Sequence, residues 1–530
     1  MRVFNLHGMD PLEEIPDISG LPNLEEFSIQ NCTNLNAIDK SVGFLCTLKI
    51  LRLILCTEIK SVPPLKLNSL ETLELSNCYK LESFPSVVDK FLGKLKTLIV
   101  KNCHHLMSIP TLKLDSLEKL DLSHCRNLKT IRPLKLDSLE TLDLSCCYSL
   151  ENFSPGVDGL LGKLKTLLVK SCHNLKSIPP LKLDFLETLD LSYCRCLESF
   201  PLVVDGFLGK LKSLNVKSCR NLRSIPPLRL DSLEILDLSN CDNLESFPSV
   251  VDGFLGKLKT LNVKSCRNIK SILPLNLDSL EELNLSECDS LKRFPLVVDG
   301  FLGKLKTLLV EGCHGLKSIP PLKLDSLEEL NLSKCDSLES FPLVVDEFLG
   351  KLKTLNVKHC HNLRSIPPLK LDSLETLDLS YCHSLESFPL VVDGFLGKLK
   401  TLLVKSCHNL KSIPPLKLDS LEKLDLSNCF SLESFPSVVG GLLDKLEFLN
   451  IECCIMLKNI RRLRLTSLGY FNLSHCYSLQ SFPVILGDMR NIPELLLDET
   501  PIKELPIHFE ILLSLKHLFH ATVDILAFQI

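Results

Sequence analysis

Leucine and valine recur along this chain at spacings that repeat from end to end. Leu186, Leu189, Leu191, Cys194, Leu197, Phe200 and Pro201 spell Leu-x-x-Leu-x-Leu-x-x-Cys-x-x-Leu-x-x-Phe-Pro, and the letters return at Leu211, Leu214, Val216, Cys219, Leu222, Ile225 and Pro226. The opening of each unit alternates apolar and polar residues with period two. That predicts a short strand whose Leu side chains face a core while the intervening residues face out. Proline ends the apolar run, and the LKLDS or SVVDGFLGK that follows predicts an extended arm or a short helical turn that returns the chain. Units of 22 residues (from Leu211) alternate with units of 25 (from Leu233), giving a 47-residue double period that holds at Leu164, Leu211, Leu258, Leu305, Leu352, Leu399 and Leu446.

Roughly 22 such units run from Met1 to Ile492, with a partial one at Leu515, against the minimum of about three that a stacked array needs. The prediction is an α/β solenoid over residues 1–519, a horseshoe with one continuous parallel sheet on its concave face and extended or short helical segments on its convex face. HATVDILAFQI, residues 520–530, breaks the pattern and reads as an irregular tail. Met1 already occupies the first Leu position of a unit and neither end supplies a polar cap. The array therefore reads as part of a longer protein, a truncated relative or a shortened gene model.

Composition narrows the function classes. Hydrophobic residues make up 45% and charged ones 23%, enough apolar surface for a core. Lys and Arg (60) nearly balance Asp and Glu (64), so the chain lacks the basic excess that a nucleic-acid partner demands. MRVFNLHGMD has no signal-peptide pattern and no apolar stretch is long enough to span a membrane. With 24 Cys and no export signal, the expected compartment is the cytoplasm, or the nucleus, with the thiols reduced. Gly206-Phe-Leu-Gly209-Lys210 has the wrong spacing for a phosphate loop and runs into Leu211, and no catalytic constellation is recognisable. Neither enzyme chemistry nor a cofactor is predicted.

The repeat resembles that of leucine-rich-repeat proteins over nearly the whole chain. Residues 1–35, MRVFNLHGMDPLEEIPDISGLPNLEEFSIQNCTNL, and 495–518, LLLDETPIKELPIHFEILLSLKHL, resemble the repeat region of plant intracellular resistance receptors of the TIR, nucleotide-binding, leucine-rich-repeat class, legume ones especially. No TIR or nucleotide-binding domain is present. The resemblance implies a non-enzymatic sensor in defence, whose concave face meets a pathogen effector or a guarded host protein and which acts with a nucleotide-binding domain in cis or in trans. The alternative is the substrate adaptor of a ubiquitin ligase, since F-box proteins also carry Cys-containing leucine-rich repeats. The Ile-Thr-Asp segment and the F-box of those proteins are not found here.

Twenty of the 24 Cys occupy one repeat position and read as a buried ladder, a compact thiol being suited to the backbone groups of a turn. Pairs such as Cys313-His314 put one side chain in and the next out, so they are not expected to share a metal. Sequons such as Asn284-Leu285-Ser286 begin at strand positions and read as structural. On the outward face Lys165, Glu187, Lys212, Glu234 and their later counterparts alternate in charge, predicting a row that neutralises itself. Recognition is expected where copies differ while their core letters stay fixed. Before the ladder Cys these are Tyr193, Glu287, Lys334, His359 and Tyr381. After it they are Arg195, Arg220, Asp242, Arg267, Asp289, His314, Asp336, His361, His383, His408 and Phe430. Phe448, Tyr470 and Tyr477 add aromatic anchors near the C-terminal end, the preferred hot spot.

Overall fold

A computed structural model of the chain describes residues 1–88, 92–132, 134, 136–153, 161–178, 180–201, 208–248, 255–272, 277–294, 302–341, 349–389, 391, 396–439, 443–486, 492–503 and 517–519. The chain divides into two units, Met1–Asn268 and Ile269–Ile530.

In the first unit the strands Val3–His7, Glu26–Gln30, Ile50–Ile54 and Thr72–Ser76 are five residues long, and three-residue strands follow from Thr97–Ile99 to Thr260–Asn262. They are parallel and stack Leu on Leu without slippage, as in Leu189, Leu214, Leu236 and Leu261. The second unit repeats this from Glu282–Asn284 to Glu494–Leu496 and His517–Phe519, with Leu283, Leu308, Leu330 and Leu355 in register. A one-residue slip would turn every Leu to solvent, so the burial of the Leu row fixes the register. Leu308, Leu330, Leu355 and Leu377 are fully buried.

Away from the strands the chain returns in extended arms. Short parallel pairs join some of them: Thr130–Ile131 lies between Ser108–Ile109 and Asn152–Phe153, and Leu463–Arg464 pairs with Ile485–Leu486. Val88 and Val439 are in 3-10 conformation, and the 3-10 turn Lys40–Phe44 is the one helix whose full length is described, its N-cap Asp39 accepting from Ser41 N at 2.8 Å. Gly43 sits in it where a Cβ would meet the Pro64 carbonyl oxygen, so no larger residue fits. Most of the SVVDGFLGK-type segments, where short helical turns were expected, lie outside the described residues, as does the 520–530 tail.

The ladder thiols are the seam between strand and turn. All twenty are buried, while Cys46 is exposed and Cys146, Cys196 and Cys453 are half-buried. The turn carries Cys Sγ to a carbonyl of the preceding rung: Cys194 to Val169 O at 3.0 Å, Cys219 to Leu191 O at 3.0 Å, Cys313 to Leu285 O at 3.1 Å. Each carbonyl is met by a small soft donor, and Leu191 O takes the Cys194 N–H at 3.3 Å as well. Burial pushes the thiols of Cys78, Cys241, Cys335, Cys382 and Cys476 up to about 12.

Candidate recognition surface

The turn that leads into each ladder Cys is built the same way in rung after rung. In Leu189-Asp190-Leu191-Ser192-Tyr193-Cys194, the Asp190 carboxylate accepts from Ser192 N at 2.8 Å and closes a local turn. Tyr193 then takes the left-handed conformation, φ 63°, and its N–H donates to Lys217 O of the following rung at 2.7 Å. Asn does the capping where Asp is absent: Asn356 accepts from Lys358 N at 3.1 Å and Asn331 from Ser333 N at 3.0 Å. The strand-face Asp and Asn thus serve as turn caps, a role the sequence reading missed. Their regular recurrence was the signal, but only the backbone shows what they hold. The sequon residues Asn284, Asn331 and Asn472 belong to this set.

The residue before the Cys is left-handed throughout. Nineteen of the twenty residues before a ladder Cys are not glycine and have φ between 54° and 63°, and the twentieth, Gly312, has φ 71°. L-residues other than Gly, and to a lesser degree Asn, pay about 1–2 kcal/mol for this geometry. Asn fills it at Asn31, Asn77, Asn102, Asn240 and Asn428, whereas Leu55, Tyr193, Glu287, Lys334, His359 and Tyr381 carry bulk or charge there at a cost. The left-handed kink aims these side chains at the edge of the sheet, beside the residues that follow the Cys.

Every one of the nineteen residues expected on a recognition face is exposed or half-buried. Among their neighbours in the two rows, Ser218, Ser265, Gly312 and Ser406 are buried, so the rim is discontinuous. In the first unit Tyr193 lies between Lys170 and Lys217, their ammonium groups 5.9 and 6.0 Å from the ring centre. Arg220 and Asp242 pair with each other at 3.7 Å, while Arg195 makes no ion pair among the described residues. The second unit brings its candidates together as stacked rings. His359 lies on Tyr381 (4.3 Å), His361 on His383 (4.8 Å), His383 on His408 (4.5 Å) and His408 on Phe430 (4.5 Å). His314 holds Asp336 at 2.9 Å, and Lys334 pairs with Glu311 at 2.8 Å. Desolvation within the stack holds His359 and His408 below the usual histidine range.

Nearer the C-terminus Phe448 and Tyr470 stack on the strand face at 4.6 Å, with the Lys423 ammonium 4.9 Å from the Phe448 ring. Tyr477 donates to Glu499 at 2.9 Å, and this bond raises the phenol above its usual range while lowering the carboxyl. The structure also adds ring pairs that the sequence reading passed over, Tyr79 with His104 and Tyr148 with His173, each at 5.0 Å. They sit directly after ladder Cys of earlier copies, and extending the column comparison to those copies would have found them.

A family model described as Leucine Rich Repeat matches residues 232–254. Together with the in-register strands, this gives the fold as a leucine-rich-repeat solenoid. Its repeats are similar to those of plant disease-resistance proteins: TMV resistance protein N of Nicotiana glutinosa is 35% identical over 89 residues, 16% of this chain and 8% of that protein. Disease resistance protein RML1A of Arabidopsis thaliana is 32% identical over 91 residues, 17% of this chain and 9% of that one. The matched stretches thus cover under a tenth of these relatives. A solved leucine-rich-repeat protein from Bacteroides ovatus aligns at 17% identity with a TM-score of 0.32, over 69% of this chain and 87% of that one. No helix among the described residues of the leucine-rich-repeat chain is long and apolar enough to cross a membrane.

Proposed function

We propose that this leucine-rich-repeat chain is a non-catalytic protein-recognition scaffold, acting as the sensor region of a plant intracellular immune receptor in the cytoplasm or nucleus. The proposed partner is a pathogen effector or a guarded host protein, bound on the sheet side, and a nucleotide-binding domain in cis or in trans reads the event out. One observation carries the recognition reading: bulky and charged side chains occupy the left-handed position at Tyr193, Glu287, Lys334, His359 and Tyr381, where Asn or Gly would relieve the backbone. Strain kept at an exposed edge in copy after copy is explained by what the side chains touch. The similarity to resistance proteins supports the setting.

The test is site-specific photo-cross-linking in plant cells challenged with a pathogen. A photoreactive phenylalanine at Tyr193, His359 or Tyr477 should give discrete adducts with one partner, and the same group at Lys417, on a return arm, should not. Equal cross-linking from Lys417 would remove the sheet edge as the recognition surface.

A further inference from the structure

Six successive rungs of the second unit place His314, Asp336, His361, His383, His408 and Phe430 directly after their ladder sulfurs. From His361 to Phe430 the rings form an unbroken stack at 4.8, 4.5 and 4.5 Å. Backbone carbonyls set the tautomers: His361 Nδ1 lies 2.9 Å from Tyr381 O, and His383 Nδ1 lies 2.9 Å from Ser406 O. A carbonyl oxygen only accepts, so Nδ1 carries the hydrogen and Nε2 is the bare, basic nitrogen of each neutral ring. His408, stacked on both faces, has no hydrogen-bond partner among the described residues. The ring faces are thus used up within the stack, and the edges, with their nitrogens, are what a partner can meet.

The charges around the stack have a sign. Lys358 and Lys405 flank Tyr381, 5.7 and 5.9 Å from its ring centre. On the rungs before, the acids are already engaged, Glu311 by Lys334 and Asp336 by His314, with the His361 Nε2 3.9 Å from Asp336 on its other oxygen. Between His359 and His408 the strip therefore offers two ammonium groups and a row of nitrogens able to take protons. Desolvation in the free strip favours the neutral forms of His359 and His408, and an arriving carboxylate is what makes their protonation favourable.

We propose that this imidazole stack, with Lys358 and Lys405, docks an acidic segment of the partner protein, each carboxylate being received with a proton. The inference rests on the recognition reading above and names the chemistry of the partner. Binding should strengthen as the pH falls through the histidine range, because the complex holds more protons than its free parts.

The experiment uses the 530-residue chain with fluorescein-labelled decaglutamate and decalysine as probes. Decaglutamate should bind at least about 5-fold more tightly at pH 6 than at pH 8, and decalysine should not bind. The double variant His383→Asn, His408→Asn keeps an amide near each Nδ1 and cannot be protonated. It should lose about 5-fold at pH 6 and most of the pH dependence, with native thiol labelling unchanged to show that it folds. Lys358→Gln with Lys405→Gln should weaken binding at both pH values and leave the pH dependence in place. Failure of decaglutamate to bind, an unaltered pH profile in the histidine variant, or a loss that appears instead in Arg461→Gln with Arg462→Gln would overturn the inference. Cross-links from Tyr193 without decaglutamate binding sink the acidic partner and spare the recognition surface. Histidine-dependent decaglutamate binding without cross-links does the reverse.

Discussion

At the scale of single residues, the sulfur ladder makes the sharpest expectations. Cys313 is fully buried and donates to Leu285 O at 3.1 Å, so Cys313→Ser keeps the bond, hides a more polar atom and should cost about 1 kcal/mol in urea unfolding. In the native protein, alkylation should reach Cys46 first and then Cys146, Cys196 and Cys453, leaving the other twenty until the chain unfolds. Ladder thiols that react as fast as Cys46 would show that the turns open readily. Leu55 is left-handed at φ 57° with 37% of its surface exposed, so Leu55→Asn should raise the urea midpoint by a few tenths to about 1 kcal/mol of stability. A lower midpoint would mean that Leu55 earns its place by packing. Burial of the Cys was legible because every third or second letter before it is a core Leu. The left-handed residue was not, since Asn at Asn240 announces such a turn while Tyr193, His359 and Lys334 in the same column hide it.

For the strand and its turn, the two faces separate cleanly. Lys306 faces out and meets Glu281 at 2.6 Å, with more than 40% of each side chain exposed, so Lys306→Glu should leave the urea midpoint almost unchanged. Leu308, two residues on, is fully buried, and Leu308→Asp should open the surrounding rungs to limited proteolysis, because an unpaired charge would enter a core that each rung shares only with its neighbours. Comparable losses from the two variants would mean that the faces are misassigned. The capping geometry adds a gain. Leu403 stands where Asn356 caps its own turn, and Leu403→Asn should add about 0.5–1 kcal/mol, read as a shift in thermal midpoint. No shift would show that the Asp and Asn bonds are incidental. Strand, face and register could all be read from Leu spacing, since period two admits one arrangement. The cap could not, because Asp190 and Asn356 look like ordinary outward polar residues until the backbone curls back onto them.

For the molecule, the thiols and imidazoles set opposite limits of pH. Cys78, Cys241, Cys335, Cys382 and Cys476 are held at about 12 by burial, against 9.0 for an ordinary thiol. Their folded values are raised, so their contribution is whole below pH 9 and is lost as the pH climbs toward 12, each adding a slope of about 1.4 kcal/mol per pH unit. Unfolding by base should therefore be steep, and a flat thermal midpoint between pH 9 and 11 would contradict the burial of the ladder. His104, His359 and His408 are lowered by desolvation, so the unfolded chain takes up protons first and stability should slip as the pH falls below about 6.5. His104→Gln, His359→Gln and His408→Gln should flatten that acid limb. Overall architecture was the most legible level, being a copy of one unit. The candidate surface was legible only as a list of columns, because stacking of His361, His383, His408 and Phe430 depends on the kink that carries them.

The lysine pairs have a direction. Lys212 reaches back 25 residues to Glu187, and Lys259 to Glu234, while from Cys172 on the sulfur bonds reach back by 28 and 25 residues in turn, as for Cys219 and Cys194; before that, Cys125 and Cys147 both reach back 25. If recombination deletes a single repeat from the alternating stretch after Leu164, like charges meet and two arms of equal length fall side by side, as they already do at Glu118 and Glu140; if it deletes two, every reach is restored. Alleles of this gene are therefore expected to grow and shrink in steps of 47 codons, keeping their odd and even repeats in phase, so that new surfaces arise two columns at a time.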